Sequence, residues 1–343
     1  MLFEQIRSGG CLSYLIGCDD SCAAMIVDPH LDQLDRYLAL AAERGMRIHY
    51  VAETHTHADH FSAARELGRQ LGARVVMHRL SAAPFADVRV DDGESLVVGK
   101  LRVNIIHTPG HTNDSTCLVF DDRVLTGDTL LIGGTGRTDL PTGDPDALYD
   151  SLFGKVLQLP DTLKVYPAHD YKDRSSSTIG AEKQSNPRLQ KKERADFVAL
   201  MRGLDIKMPD HLTEALRTNR SGGKTVAQLL AEASRSIAFM SMNEVRHRLD
   251  RGDGEIVLLD VREKEAFDRG HLPGAKHLPR GQLELRVDKE LPDPGARILA
   301  YCQLGRISTL AAATLRAMGY TRAVALDGGY EDWVEAGHPT ETR

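Results

Sequence analysis

The sequence predicts an α/β protein built as two domains, and three observations predict it. At 343 residues the chain is longer than one core usually serves, and an apolar content of 41% supplies two. Up to about residue 180, short strand-like runs alternate with helical patterns. Acidic or glycine turns such as Asp91-Asp92-Gly93 and Asp121-Asp122 join many of them, as hairpins would. Beyond about residue 238 the periodicity changes: residues 256–260 and 298–301 are continuous apolar runs, as expected of parallel strands covered on both faces.

Taken in order, residues 23–27, 75–78, 101–106, 116–120 and 123–125 read as strands, and 31–44 and 62–71 as helices. The apolar run Ile48, Tyr50, Val51 and the segment 163–165 read as further strands. From about 190 to 235 the chain turns helical and polar, with Ser221-Gly222-Gly223 as a break. The expected division is a first domain over 1–205, a helical linker over 206–237 and a second domain over 238–343. In the last of these, helical stretches such as 309–318 alternate with the apolar runs, which predicts a small parallel-sheet sandwich.

Bulk properties narrow the function. A formal charge of -6 argues against a nucleic-acid footprint, which wants a basic face. The basic stretch Lys191-Lys192-Glu193-Arg194 is broken by acid and reads as a solvated helix face. No apolar run approaches the roughly 20 residues of a membrane span, and residues 1–10 have no charged-then-apolar signal layout. The five cysteines, at 11, 18, 22, 117 and 302, form no C-x-x-C pair and are odd in number, which fits a reducing cytoplasm.

The chemistry concentrates at Thr54-His55-Thr56-His57-Ala58-Asp59-His60, directly after a strand. A packed core has no use for so much imidazole and carboxylate in one place, since each buried polar group needs a partner. Histidine with carboxylate suits zinc, iron or manganese, whereas a structural zinc site usually brings cysteine. Three later segments place a further donor just after a strand: His107-Thr108-Pro109-Gly110-His111-Thr112, Gly127-Asp128-Thr129 and Ala168-His169-Asp170-Tyr171. Loops at one end of a sheet are where function gathers.

With these four segments in this order, residues 1–210 resemble the metallo-β-lactamase fold, an αββα sandwich of two facing sheets. The resemblance implies a site made from His55, His57, Asp59, His60, His111, Asp128 and His169. The complete set can hold two metals, with His55, His57 and His111 on one, Asp59, His60 and His169 on the other, and Asp128 bridging; a metal-bound hydroxide then hydrolyses its substrate. Residues 133–139, Gly-Gly-Thr-Gly-Arg-Thr-Asp, followed by Leu-Pro-Thr-Gly-Asp, look like the persulfide dioxygenase branch of that fold. So do Ser177-Thr178-Ile179-Gly180 and Asn186-Pro187-Arg188-Leu189. Here Lys172-Asp173-Arg174 follows Tyr171 where the branch would have a glycine.

Membership of that branch implies one Fe(II) per chain on His55, His111 and Asp128, with His57, Asp59, His60 and His169 outside the coordination sphere. Two imidazoles and a carboxylate form the facial triad of non-haem Fe(II) oxygenases, which leaves positions open for a persulfide sulfur and O2. Arg137 is expected to grip a substrate carboxylate or to order the site through Asp139 and Tyr171.

In the second domain, Cys302 lies in Tyr301-Cys302-Gln303-Leu304-Gly305-Arg306-Ile307-Ser308, with a helix expected from about Ser308. Backbone N–H groups converging at a helix N-terminus favour a thiolate, the nucleophilic form. Asp260-Val261-Arg262-Glu263, Gly270-His271-Leu272-Pro273-Gly274-Ala275 and Leu326-Asp327-Gly328-Gly329-Tyr330-Glu331-Asp332-Trp333 complete a resemblance to a single rhodanese domain over 238–343. That family passes a sulfane sulfur through the loop cysteine, which makes Cys302 and Arg306 the expected catalytic residues. The usual loop arginine would stand at 307, where this chain has Ile307. Cys11, Cys18, Cys22 and Cys117 are expected as small core or surface residues.

Together the resemblances imply oxidation of glutathione persulfide by O2 to sulfite and glutathione, with sulfur exchange among thiosulfate, Cys302 and glutathione. A homodimer is compatible with them; a nucleic-acid or membrane partner is not expected. The rival is a binuclear zinc thioester hydrolase of the glyoxalase II kind with a rhodanese-like binding module.

Overall fold

Period-two alternation along the strands decides the architecture of the first part of the chain, because each strand must bury both of its faces. The computed structural model describes residues 1–252 and 255–342. They divide into two compact units, Met1–Gly223 and Lys224–Arg343. In the first unit, β1 (Leu2–Ser8), β2 (Cys11–Cys18), β3 (Ala23–Val27), β4 (Arg47–Ala52), β5 (Arg74–His78) and β6 (Val88–Val90) form one sheet in chain order. Pairing is antiparallel from β1 to β3 and parallel from β3 to β6. The facing sheet joins β7 (Ser95–Val98), β8 (Leu101–His107), β9 (Thr116–Val119) and β10 (Arg123–Gly127). A short hairpin of β11 (Leu130–Leu131) and β12 (Gly134–Thr135) follows, and β13 (Lys164–Pro167) and β14 (Ser177–Thr178) complete that sheet in the order 14-13-10-9-8-7.

Tyr14, Ile16, Met25 and Val27 of one sheet meet Val103, Ile105, Leu118 and Leu125 of the other in the central layer. Their neighbours in sequence point the opposite way. Leu15 and Ile26 pack under α1 (Leu34–Glu43) and α2 (Ala64–Leu71) through Tyr37, Ala41 and Leu67. Cys117 and Val124 pack under α3 (Pro145–Gly154), α4 (Ile179–Ser185) and α5 (Arg194–Arg202) through Leu148, Leu152, Ile179 and Phe197. The result is the expected four-layer αββα sandwich.

The helix expected over 31–44 opens with a 3-10 turn, Leu31–Gln33, because the His30 ring accepts the Asp32 N–H and delays α1. The segment 206–237, expected as a linker, is shared between the units. Its first helix, α6 (Leu212–Ser221), belongs with the first unit and ends at Gly222 in the left-handed conformation. Its second, α7 (Val226–Ser236), belongs with the second unit and starts on a Thr225–Gln228 capping box.

The second unit holds a five-stranded, all-parallel sheet. Its members are β15 (Phe239–Met240), β16 (Ile256–Asp260), β17 (Lys276–His277), β18 (Arg297–Tyr301) and β19 (Val324–Leu326), in the order 15-19-18-16-17. Ile298 and Ala300 face one way, Leu299 and Tyr301 the other, and helices cover both faces. No helix among the described residues is long and apolar enough to cross a membrane.

Candidate functional site

The donors of the first unit all leave the same end of the two sheets. His55, His57, Asp59 and His60 follow β4, His111 follows β8, Asp128 follows β10, and His169 follows β13, the parallel neighbour of β10. Asp28 at the end of β3 fixes the start of the first loop. Its carboxylate accepts the Thr54 N–H at 2.7 Å and the Thr54 hydroxyl at 2.8 Å. Asp28 sits at φ +51, a conformation that a side-chain-bearing residue adopts only when its surroundings hold it there.

Two glycines admit the backbone that seats His111. A Cβ on Gly110 would lie 2.4 Å from Leu148 Cα, and one on Gly136 would lie 2.1 Å from the Asp128 carbonyl oxygen and 2.9 Å from the His111 ring. The close approach at Gly136 lets the Arg137 carbonyl accept from His111 Nδ1 at 2.8 Å. His55 Nδ1 is paired likewise with the Thr54 hydroxyl at 3.0 Å. Both imidazoles are thus anchored through Nδ1.

Candidate ligand atoms of His55, His111 and Asp128 lie within 4.8 Å of one another, and all three residues are buried. His55 Nε2 is a buried nitrogen without a hydrogen-bond partner, a costly state unless something else binds it. Burial and the His57 charge push the His55 pKa well down, so the ring is neutral, the form a ligand needs. Burial opposes ionisation of Asp128, but the His169, His111 and His55 rings hold its carboxyl well below the usual range. The donor set fits a divalent metal.

The other residues of the motif are engaged around this trio. His57 Nε2 lies 3.1 Å from Asp28 and 2.9 Å from Glu53; burial opposes its charge, and the two carboxylates raise its pKa well above the ordinary value. His169 bridges two carboxylates, with Nδ1 at 2.7 Å from Asp128 and Nε2 at 2.8 Å from Asp59, and these outweigh burial to hold it charged. Asp59 also receives His60 Nδ1 at 3.1 Å. Cys11, expected as a small core or surface residue, stands here instead. Its Sγ is 3.5 Å from Asp59 and 3.9 Å from His60. The reason is tertiary: an isolated bridge between Cys11 and His169 joins the start of β2 to the loop after β13. Asp28 and Glu53 were likewise absent from the sequence-based site, although Asp28 follows a strand as the other donors do.

A cavity of about 590 Å³ opens over Asp59, His111, Asp128 and His169. Tyr171 lies on its rim, exposed, its ring parallel to His169 at 5.9 Å and packed over Gly10, where a Cβ would come within 2.2 Å of it. Arg137 donates to both Asp139 oxygens at 2.6 Å and to the carbonyls of Ile206 at 2.9 Å and Lys207 at 2.8 Å. Its guanidinium therefore orders the cavity wall; no hydrogen bond joins it to Tyr171 among the described residues. Asp173 stands at φ +56, so the left-handed turn that glycine makes at low cost is made here by aspartate, a residue that tolerates it. Arg174 closes the same turn on Asp170 at 2.6 Å. The Arg188 guanidinium, also lining the cavity, bonds the Thr135 carbonyl and hydroxyl and has no carboxylate partner among the described residues.

In the second unit Cys302 directly follows β18 and is only 2% exposed. Its Sγ accepts the Ser308 N–H at 3.3 Å. The helix of the loop, Arg306–Ala317, starts two residues earlier than expected because Gly305, at φ +79, turns the chain into it. The loop closes on Gly328-Gly329: a Cβ on Gly305 would meet the Gly328 carbonyl at 2.6 Å, and one on Gly329 the Gln303 carbonyl at 2.1 Å. Leu304, Arg306 and Ile307 are exposed around the mouth. Arg262 is held by Asp260 at 2.6 Å, reaches Gln303 at 3.2 Å and lies over the Tyr330 ring at 3.9 Å.

Comparison with known proteins agrees with this geometry. Residues 6–169 match the profile of the metallo-beta-lactamase superfamily, and residues 241–336 that of the rhodanese-like domain. The mitochondrial persulfide dioxygenase ETHE1 of Homo sapiens is 37% identical over 225 residues, 65% of this chain and 87% of the human protein. The crystal structure of ETHE1 from Myxococcus xanthus matches with a TM-score of 0.64 at 40% identity, covering 65% of this chain and 100% of its own. A metallo-beta-lactamase from Staphylococcus aureus subsp. aureus COL covers 95% of this chain and 98% of its own with a TM-score of 0.61; at 24% identity that is a likeness of fold. With its ETHE1 relatives and its loop cysteine, the chain belongs to the metallo-beta-lactamase superfamily, among the persulfide dioxygenase homologues, and carries a rhodanese domain behind that unit.

Proposed function

We propose that the first unit oxidises glutathione persulfide with O2, and that the second exchanges sulfane sulfur among thiosulfate, Cys302 and glutathione. The observation that carries the first half is the buried trio His55, His111 and Asp128, two imidazoles and one carboxylate, of which His111 and Asp128 line the cavity. One ferrous ion per chain on these residues would supply the one-electron chemistry that dioxygen requires and side chains lack. The balanced reaction is RSSH + O2 + H2O → RSH + HSO3⁻ + H⁺.

The chain's own groups position the substrate. Arg188 offers the cavity a guanidinium without a carboxylate, suited to a glutathione carboxylate, and Tyr171 flanks the entry. Asp59 and His169 orient Asp128 through a continuous hydrogen-bonded line, as groups behind metal ligands commonly do. In the second unit the Cys302 thiolate attacks the outer sulfur of a donor; the new S–S bond forms as the bond to the leaving group, sulfite or thiolate, breaks. The unpaired cysteines fit a reducing cytoplasm.

Metal analysis of anaerobically purified protein, together with oxygen uptake on adding glutathione persulfide, tests the reading. One iron per chain with oxygen consumption is expected. A second reading, binuclear zinc hydrolysis, draws on the cluster Cys11, Asp59, His60 and His169, whose donor atoms also lie within 4.8 Å of one another. Two zinc ions and no oxygen uptake would establish it in place of the first.

A further inference from the structure

We infer that Asn219, on α6 and outside every motif that marks the metal site, is a positioning residue for that site. Its carboxamide makes three hydrogen bonds to one short stretch of backbone. Nδ2 donates to the His57 carbonyl at 2.9 Å and to the His60 carbonyl at 2.8 Å, and Oδ1 accepts the Ser62 N–H at 3.0 Å. Asn219 is 5% exposed, so water does not compete for these partners.

Residues 57–62 leave β4 and reach α2 without a regular ladder of their own, and their backbone groups must be satisfied somewhere. Asparagine suits the task because its amide presents two donors and an acceptor in one plane. The stretch it holds carries His57, Asp59 and His60; Asp59 in turn holds His169, and His169 holds Asp128. Asn219 thus acts on a metal-set carboxylate through the orientation of three intervening groups.

The surroundings keep α6 in place for this role. Arg65 of α2 donates to the Gly222 carbonyl just beyond the helix, and a Cβ on Gly222 would press on the Phe85 ring at 3.0 Å. At the other end, Arg137 holds the carbonyls of Ile206 and Lys207, and Ile206, Lys207, Pro209, Asp210 and His211 wall the cavity. The stretch before and within α6 therefore both encloses the cavity and grips its metal loop.

The inference rests on the proposed metal set but not on the identity of the metal. The experiment uses the full chain with Asn219→Ala and Asn219→Asp, and measures Fe(II) and Zn(II) affinity by competition with a chromogenic chelator. Asn219→Ala should weaken both metals by roughly 10- to 100-fold, the usual effect of removing a group behind the ligands. Asn219→Asp keeps the acceptor for Ser62 but faces two carbonyls without donors, and should not rescue. Thiosulfate:thiol sulfurtransfer through Cys302 in the same samples should be unchanged. Metal affinity equal to that of the unaltered chain in a folded Asn219→Ala protein would overturn the inference. Should the variants fail to fold, amide exchange in the unaltered chain decides: a slowly exchanging Ser62 N–H supports the clamp, and a freely exchanging one overturns it. Failure of the dioxygenase reading looks different, since oxygen uptake would then be missing from the unaltered chain while the affinity difference remained.

Discussion

The metal site of the first unit and the cysteine site of the second solve the same problem, holding reactive groups still, by opposite routes. The cysteine site is local. Seven residues from Cys302 to Ser308 turn on Gly305, and one N–H, from Ser308, reaches the sulfur. The metal site is assembled from afar: His55, His111, Asp128 and His169 come from four loops, Asp28 from a fifth, and Asn219 from a helix 162 residues beyond His57. A thiolate needs one nucleophilic atom and a few converging dipoles, which one turn and one helix end provide. A metal needs several ligands aimed at one point within a fraction of an ångström, and neighbouring residues of one strand point to opposite faces.

This difference predicts that each site can be destroyed without the other. His111→Ala should abolish iron binding and oxygen uptake, a loss of well over 100-fold, while sulfurtransfer continues, because each unit has its own core. Iron content and oxygen-electrode rates measure the first, thiosulfate:thiol assay the second; oxygen uptake at the normal rate would remove His111 from the metal set. Cys302→Ser should do the reverse, ending sulfurtransfer and leaving oxygen uptake on added persulfide untouched. Retained sulfurtransfer would mean that the second unit works as a docking module.

A smaller effect sharpens the contrast. Asp28→Asn keeps an acceptor for the Thr54 N–H but discards the charge opposite His57, and should lower Fe(II) affinity by about 10-fold with little effect on folding. Chelator competition reads this directly, and an unchanged affinity would show that the Thr54 turn holds without it.

The smallest effect is on pH dependence of the metal-free protein. Asp59 and Asp128 are depressed, so their stabilisation is present above the ordinary carboxylate range and is lost as pH falls through their folded values. His169 is raised, so its share is complete below the ordinary histidine value of about 6.5 and is lost as pH rises through its folded value. The unfolding midpoint of the first unit should thus be highest between roughly pH 4.5 and 6.5 and fall on both sides by a few °C. A midpoint still climbing from pH 6.5 to 9 would contradict a charged His169 between two carboxylates.

Much of this was legible in the residues. Leu15 and Ile26 pointing away from Tyr14 and Met25 is ordinary strand alternation, and the four motif segments came together as their positions after strands implied. Cys11 was not legible as part of the site, because nothing near it in sequence bears on chemistry; β-sheet pairing alone brings it to His169. Asn219 was hidden for a related reason: a polar helix before a Gly-Gly break reads as a connector, and only folding shows its amide facing the loop.

By itself, then, the chain's order of amino acids determined the layers, the strand ends that carry donors, and the glycines that let backbone close on His111 and Cys302. Those depend on side-chain period and backbone sterics, which are local properties. Tertiary structure decided which donors meet as a trio, which carboxylate takes which ring, and that α6 serves the metal loop. Such choices depend on distances between residues far apart in the chain, and hydrogen bonds act only when those distances have closed to about 3 Å.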